Sequence, residues 1–226
     1  MYRFVKRILD VLIATMAMIL LSPLFLLVIL ILLFTGEHEV FYLQERIGYL
    51  NRPFKIIKFA TMVKNSPNIG TGSITLRNDP RVTKMGRILR KTKINELPQI
   101  FNVLAGTMSM VGPRPQMMVD FMKFPEHIRQ VIYQSKPGIT GIGSIVFRDE
   151  EKWISNYKGD YHEFYREHIA PYKGELEIWY RQHASIGVDL TLLFITFYVV
   201  VFPKSDVIFR VFQNLPKRTN SIETVT

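Results

Sequence analysis

Between Arg77 and Lys93 the chain places seven basic residues, Arg77, Arg81, Lys84, Arg87, Arg90, Lys91 and Lys93, against one acid, Asp79. On a helix Lys84, Arg87, Arg90 and Lys91 share a face. Beside a helix N-terminus such a face suits a phosphate, because guanidinium groups pair two phosphate oxygens at once and the helix dipole adds to the attraction. The bland alternative is a solvated face that touches lipid headgroups. Asn95 and Glu96 follow directly. Their residue types read first as an N-cap and a first-turn acid. A third cluster, Phe147-Arg148-Asp149-Glu150-Glu151, has carboxylates that could hold Mg²⁺, but it reads better as the acidic start of a helix. The five His residues are scattered, and the chain has no Cys. Disulfides, thiolate metal sites and Cys nucleophiles are thereby excluded.

The elements that must position these groups read as one mixed α+β domain on a membrane helix. Val40 to Leu43 and Phe54 to Phe59 are short strands joined by a turn at 48–53. Residues 65–73 form a loop. Asp79-Pro80 can cap and start a short helix. Leu97, Ile100, Phe101 and Leu104 recur at helical spacing, with Asn95 at the N-cap position and Gly106 as the stop. Gly112 to Pro115 and Pro137 to Gly143 are Pro/Gly loops, and Glu126 to Gln134 and Glu150 to His168 read as helical. The division is 1–36 membrane helix, 37–214 catalytic-type domain including interfacial helices, and 215–226 loose tail.

The 226 residues carry a net charge of +10, and residues 37–120 alone contribute +7 of it, thirteen basic against six acidic. An anionic partner follows: nucleic acid, phospholipid or a phosphorylated ligand. Nucleic acid is disfavoured, because no nucleic-acid motif accompanies the charge and Val11 to Phe34 is an uncharged apolar run long enough to cross a bilayer. Ser22-Pro23 interrupts that run, and Pro removes the N–H that would bond the carbonyl of Ile19; the Ser22 hydroxyl could serve a freed carbonyl. Basic residues flank both ends: Arg3, Lys6 and Arg7 before, Arg46, Arg52, Lys55 and Lys58 after. Charge placement then puts both ends on the cytoplasmic face. A helix that enters, breaks at Pro23 and returns and a helix that spans both remain open on these residues. Leu190 to Phe202 is short for a span and suits an interfacial helix. Tyr172, Ile178, Trp179 and Tyr180 suit either a headgroup-level helix or a helix packed on its own domain.

Several strings, in order, resemble the bacterial sugar transferases, the monotopic phosphoglycosyltransferases: Lys6-Arg7-Ile-Leu-Asp10, Ser22-Pro23, Gln44-Glu-Arg46-Ile-Gly48, Phe54-Lys-Ile-Ile-Lys58-Phe59, Asn78-Asp-Pro-Arg-Val-Thr83, Gly86-Arg-Ile-Leu-Arg90, Glu96-Leu-Pro-Gln99, Val111-Gly-Pro-Arg-Pro115 and Pro137-Gly-Ile-Thr-Gly141. The likeness runs from about residue 3 to 145 and matches the minimal catalytic form. It implies transfer of a phosphosugar from a UDP-sugar to a polyprenyl (undecaprenyl) phosphate, with release of UMP, as the first membrane step of a surface glycan pathway. It also implies Mg²⁺, a re-entrant helix broken at Ser22-Pro23, and a catalytic domain on the cytoplasmic face of the bacterial inner membrane. Membrane lipids and downstream glycosyltransferases are the implied partners, with nucleic acid excluded and self-association left open.

By the same resemblance, Lys58, Arg90 and Arg114 bind donor phosphates and Glu96 is catalytic. Arg81, from the same basic run, joins the phosphate-binding candidates. Where the family has its nucleophilic, Mg²⁺-touching Asp, this chain has Asn95. An amide is a poor nucleophile and an uncharged ligand. Three accounts stand: Glu96 takes over as nucleophile or base, with Asn95 and Glu96 as the metal ligands; the chain is a catalytically inactive binder of nucleotide-sugar or polyprenyl phosphate; or Asn95 is an introduced substitution.

Overall fold

The computed structural model describes residues 1–69, 78–202 and 205–217. Arg77, the end of the 65–73 loop and the tail from 218 lie outside the described residues. In order, the elements are α1 (Tyr2–Leu33), β1 (Phe41–Ile47), β2 (Pro53–Phe59), α2 (Lys84–Lys91), α3 (Gln99–Leu104), β3 (Ser109–Val111), α4 (Met118–Phe121), α5 (Glu126–Arg129), β4 (Gly138–Thr140), α6 (Ile142–Val146), α7 (Glu150–Asn156), α8 (Tyr161–Phe164), α9 (Ala170–His183), α10 (Ile186–Val201) and α11 (Val207–Val211). The α+β reading is matched by two two-stranded sheets, β1 antiparallel to β2 and β3 parallel to β4.

α1 is long and apolar enough to cross a membrane. One face of it packs on the domain along nearly its whole length. Ala14 meets Ile56, Ile100, Val103 and Met108, and Phe25, Val28 and Leu32 meet Phe59 and Leu89. Leu12, Met16, Ile19, Leu20, Leu26, Leu27 and Leu30 on the rest of its surface are exposed. The expected break at Ser22-Pro23 is not an interruption here, because the helix continues through Pro23. The Ser22 hydroxyl donates to the Ile19 carbonyl at 2.8 Å, and this carbonyl is the acceptor that Pro23 leaves without its backbone donor. The N-terminal end is held by charge. Tyr2 Oη and Lys6 Nζ each reach Asp189 Oδ2 of α10 at 2.9 Å, Arg7 donates to the carbonyls of Val103 and Leu104, and Asp10 accepts from the Met110 N–H.

β1 and β2 form the expected hairpin, with Tyr42 opposite Lys58 and Arg46 opposite Phe54. The outer edge of β2 is closed by a side chain: Asn102 on α3 accepts from the Ile57 N–H and donates to the Lys55 carbonyl. The expected helix start at Asp79-Pro80 is corrected. Thr83 caps α2 instead, accepting from the Gly86 N–H at 3.0 Å, while Asp79 accepts from the Arg81 N–H in a turn. The headgroup-level reading of 172–180 is corrected as well. Tyr172, Trp179 and Tyr180 of α9 are buried in the main core with Phe147, Tyr165 and Ile169. It is α10 that presents apolar side chains outward, Leu190, Phe194, Phe197 and Val200.

Candidate active site

Lys58 lies near the end of β2, and the pleat puts it on the same face as Arg46, its neighbour strand's residue. Arg114 sits in the loop after β3. That loop is fixed by backbone-on-backbone contact with the loop before β4: a Cβ at Gly138 would lie 2.1 Å from the Gly112 nitrogen, so no larger residue fits this crossing. The Tyr133 hydroxyl pins the loop further, donating to the Arg114 carbonyl and accepting from the Gln116 N–H, both at 2.8 Å.

These two basic side chains converge on Glu96. Arg114 Nη2 meets Glu96 Oε1 at 2.5 Å and Nη1 meets Oε2 at 3.1 Å, and Lys58 Nζ meets Oε1 at 3.3 Å. Burial alone would push the Glu96 carboxyl up, but Arg114 and then Lys58 more than reverse this and hold it well below the usual carboxylate range. Burial, opposed by Glu96 and reinforced by Arg46 and Arg114, brings Lys58 down to about 7. Arg46 is brought down to about 10 by burial and by Arg114 beside it. Its guanidinium is braced by Gln44 Oε1 and the Pro115 carbonyl. Glu96 thus lies among Lys58, Arg114 and Arg46, with Asp120 acting on Arg46 and Glu150 on Arg114 from beyond the cluster.

Asn95 is placed beside Glu96 but not as the expected cap. It lies in a 3-10 turn over 94–96 that follows Lys93 at φ +59°, and α3 begins after Pro98. Asn95 is 6% exposed, and its Oδ1 has no hydrogen-bond partner. The expected Mg²⁺ would have Glu96 and Asn95 as its protein ligands, with waters and donor phosphates completing the shell. Here both Glu96 oxygens are engaged by Arg114 and Lys58, and the Asn95 oxygen is neutral. Among the described residues no three His, Cys, Asp or Glu side chains cluster as metal ligands.

Arg90, at the end of α2, pairs with Glu151 at 3.0 Å, a surface-side contact. Arg81 is turned inward, 5% exposed, against Asp79 and the carbonyls of Ser66 and Ile69. It shares none of these partners with Glu96. The cluster 147–151 is the acidic start of α7, as its residue types suggest. Residue types and spacing do not mark Arg46, Tyr133, Lys173 or Glu177 as site residues, and mark Glu150 only as part of the 147–151 acidic cluster. Arg46 was in view within a motif string, and strand alternation with Lys58 was the signal that could have promoted it. The others reach the site only through tertiary packing.

A family model described as bacterial sugar transferase matches residues 1–203. The exopolysaccharide production protein ExoY of Sinorhizobium fredii is 37% identical over 171 residues, 70% of this chain and 75% of that protein. A UDP-N-acetylgalactosamine-undecaprenyl-phosphate N-acetylgalactosaminephosphotransferase of Aeromonas hydrophila is 40% identical over 147 residues, 64% of this chain and 34% of that one. A UDP-glucose:undecaprenyl-phosphate glucose-1-phosphate transferase of Escherichia coli is 38% identical over 145 residues, 63% and 31%. The match thus spans three quarters of the ExoY protein but only about a third of the two phosphotransferases.

Proposed function

This chain belongs to the bacterial sugar transferase family, and from that premise we propose that it transfers a sugar phosphate from a UDP-sugar to a polyprenyl phosphate, releasing UMP. The observation that carries the reading is the convergence of Lys58 and Arg114 on Glu96, with Arg46 braced nearby. In the proposed step an oxygen of the acceptor phosphate attacks the sugar-bearing phosphorus of the donor. The bond from that phosphorus to the bridging oxygen breaks, and UMP carries the electron pair away. Positive groups fixed before the reaction are what such a step needs, since it is chiefly positioning and charge stabilisation.

Direct attack suits this chain for two reasons. The acceptor phosphate is already an anion and needs no base, and Glu96 has both oxygens occupied. Glu96 then acts by holding Lys58 and Arg114 in place, and no step is drawn through a metal. Asn95 supports a second reading, the inactive binder, because the amide cannot take the covalent role an acid would. UMP release by the full chain with polyprenyl phosphate and a panel of UDP-sugars separates the two. Release by the parent, lost in Glu96→Gln, supports direct transfer. Release only by Asn95→Asp establishes the binder.

The same proposal puts α1 in one leaflet with both ends on the cytoplasmic face of the inner membrane. Support comes from the packing of its face on the domain at both Ala14 and Leu32, since a perpendicular span would draw β2 and α2 into the bilayer. With no native Cys in the chain, Val5→Cys and Leu50→Cys should both label from the cytoplasmic side alone. Labelling from opposite sides would sink this topology.

A further inference from the structure

α9 carries Lys173 and Glu177 one turn apart, 3% and 2% exposed. At this spacing opposite charges are neighbours on a helix, yet they are not paired. Lys173 Nζ instead donates to Glu150 Oε2 at 2.5 Å, lying over the rings of Phe147 and Tyr165. The Glu177 carboxylate faces the backbone N–H groups of Gly143 and Arg114 and has no direct contact with a cation. It lies against Gly143, where a Cβ would come within 2.4 Å of Oε1. A buried carboxylate is costly, and burial, opposed only in part by Lys173 and these N–H groups, holds this one up at about 7.

The competitor for Lys173 is the first residue of α7, and the second, Glu151, takes Arg90. Glu150 also acts electrostatically on Arg114. Consecutive carboxylates of one short helix therefore reach a cation on α2 at the surface and a cation on α9, with Glu150 the one that acts on Arg114 of the site. A first-turn position accounts for acids in α7 but not for these partners.

We propose that α7 is an anion-mimicking plug: Glu150 and Glu151 hold Lys173 and Arg90 until a diphosphate competes for the site, whereupon α7 lifts and Lys173 turns to Glu177. This rests on the reading of the site as one for a nucleoside diphosphate. No covalent bond changes, because one anion replaces another. The pairing of Lys173 with Glu177 gives that buried carboxylate a direct cation contact and so offsets part of the work of lifting α7. Glu177 touches no substrate in this scheme and is a positioning residue for the open state.

Trp153 of α7 reports the movement. It is buried with its ring edge-on to Phe147, centroids 5.4 Å apart. The chain has two Trp, so Trp179→Phe leaves Trp153 alone. In the full chain in detergent, saturating UDP or pyrophosphate should make Trp153 more accessible to acrylamide. Glu150→Gln and Glu151→Gln should each tighten UDP binding, roughly two- to fivefold for the half-exposed Arg90 pair, and Glu177→Gln should weaken it. The double variant Glu150→Gln/Glu151→Gln should expose Trp153 with no ligand at all. Unchanged or weaker UDP binding in both single variants, or a double variant whose Trp153 stays as protected as the parent's, overturns the plug. If the parent binds neither UDP nor pyrophosphate, the diphosphate reading fails, and Trp153 in the ligand-free double variant still decides whether those acids hold α7 down. Should the double variant not fold, Glu150→Gln is read in its place: Trp153 more accessible than in the parent without ligand supports the plug, and Trp153 as protected as the parent's overturns it.

Discussion

Glu96 and Glu177 are both buried glutamates within one small domain, and the protein treats them oppositely. Glu96 has two cations within 3.3 Å and is held ionised. Glu177 has a lysine one turn away that is spent on another acid, and it is pushed towards the neutral form. Burial is common to both, so it does not decide the charge state. What decides it is whether the surrounding elements deliver a cation to the carboxylate. Glu96 receives its cations from a strand and a loop locked in place by the Gly112 and Gly138 crossing, whereas the candidate partner of Glu177 is shared with a short helix at the surface.

The largest test of this contrast removes the charge that is matched. Glu96→Gln should lower UMP release by about 10²- to 10³-fold, the scale of losing one preorganised electrostatic contact. It should also destabilise the fold by about 3 kcal/mol, because Lys58 and Arg114 are left facing each other without an anion. Activity assays and denaturant midpoints in detergent check both. A variant as active as the parent would break the distinction.

The pH dependence of stability should have opposite signs at the two sites. The Glu177 value is raised from 4.5 to about 7. The folded state then binds the extra proton between those values, so stability falls as pH rises through that window, by up to about 3 kcal/mol. Glu177→Gln should flatten the slope and be at least as stable as the parent at pH 8. Glu96, with its value lowered, contributes stability that is present above the unfolded value of 4.5 and is lost as pH falls towards its folded value. Unfolding midpoints taken from about pH 2 to 8 in the parent and the two Gln variants separate these contributions.

A smaller effect is expected from Arg114→Lys, which keeps the charge but loses the two-pronged contact with both Glu96 oxygens. A fall in kcat/KM of about tenfold is expected, with little change in folding. Smallest is a pH effect on donor affinity. The Lys58 ammonium titrates at about 7, so UDP binding should weaken a few-fold as pH rises from 6 to 8. Lys58→Arg should remove that dependence while retaining binding at pH 8.

Local patterns made part of this legible. The hairpin follows from alternation around the 48–53 turn, and α3 from Leu97, Ile100, Phe101 and Leu104. The Ser22 hydroxyl serves the carbonyl that Pro23 leaves without its backbone donor, as the dipeptide suggests. The misreadings fall where a local preference competes with packing. Asn95 resembles an N-cap by type and position, but Lys93 at φ +59° turns the chain into a 3-10 turn and moves the start of α3 past Pro98. The aromatic and charged mixture of 172–180 fits a headgroup-level helix equally well until the core claims Tyr172, Trp179 and Tyr180.

By itself the sequence determined the family strings, the apolar helix, the basic central segment and the absence of thiol chemistry. Each is a property of residue type and near-neighbour spacing, which needs no knowledge of what lies across the fold. Only the tertiary structure decided that Arg114, rather than Arg81, meets Glu96, that Arg46 lies beside the group, and that Lys173 serves Glu150 and leaves Glu177 without a direct cation contact. Those outcomes depend on contacts between groups 18 to 38 positions apart at Glu96 and 23 apart at Lys173. The strength of a charge pair falls with distance and with solvent between the partners, and both are set by the packing of β2, the Arg114 loop, α7 and α9.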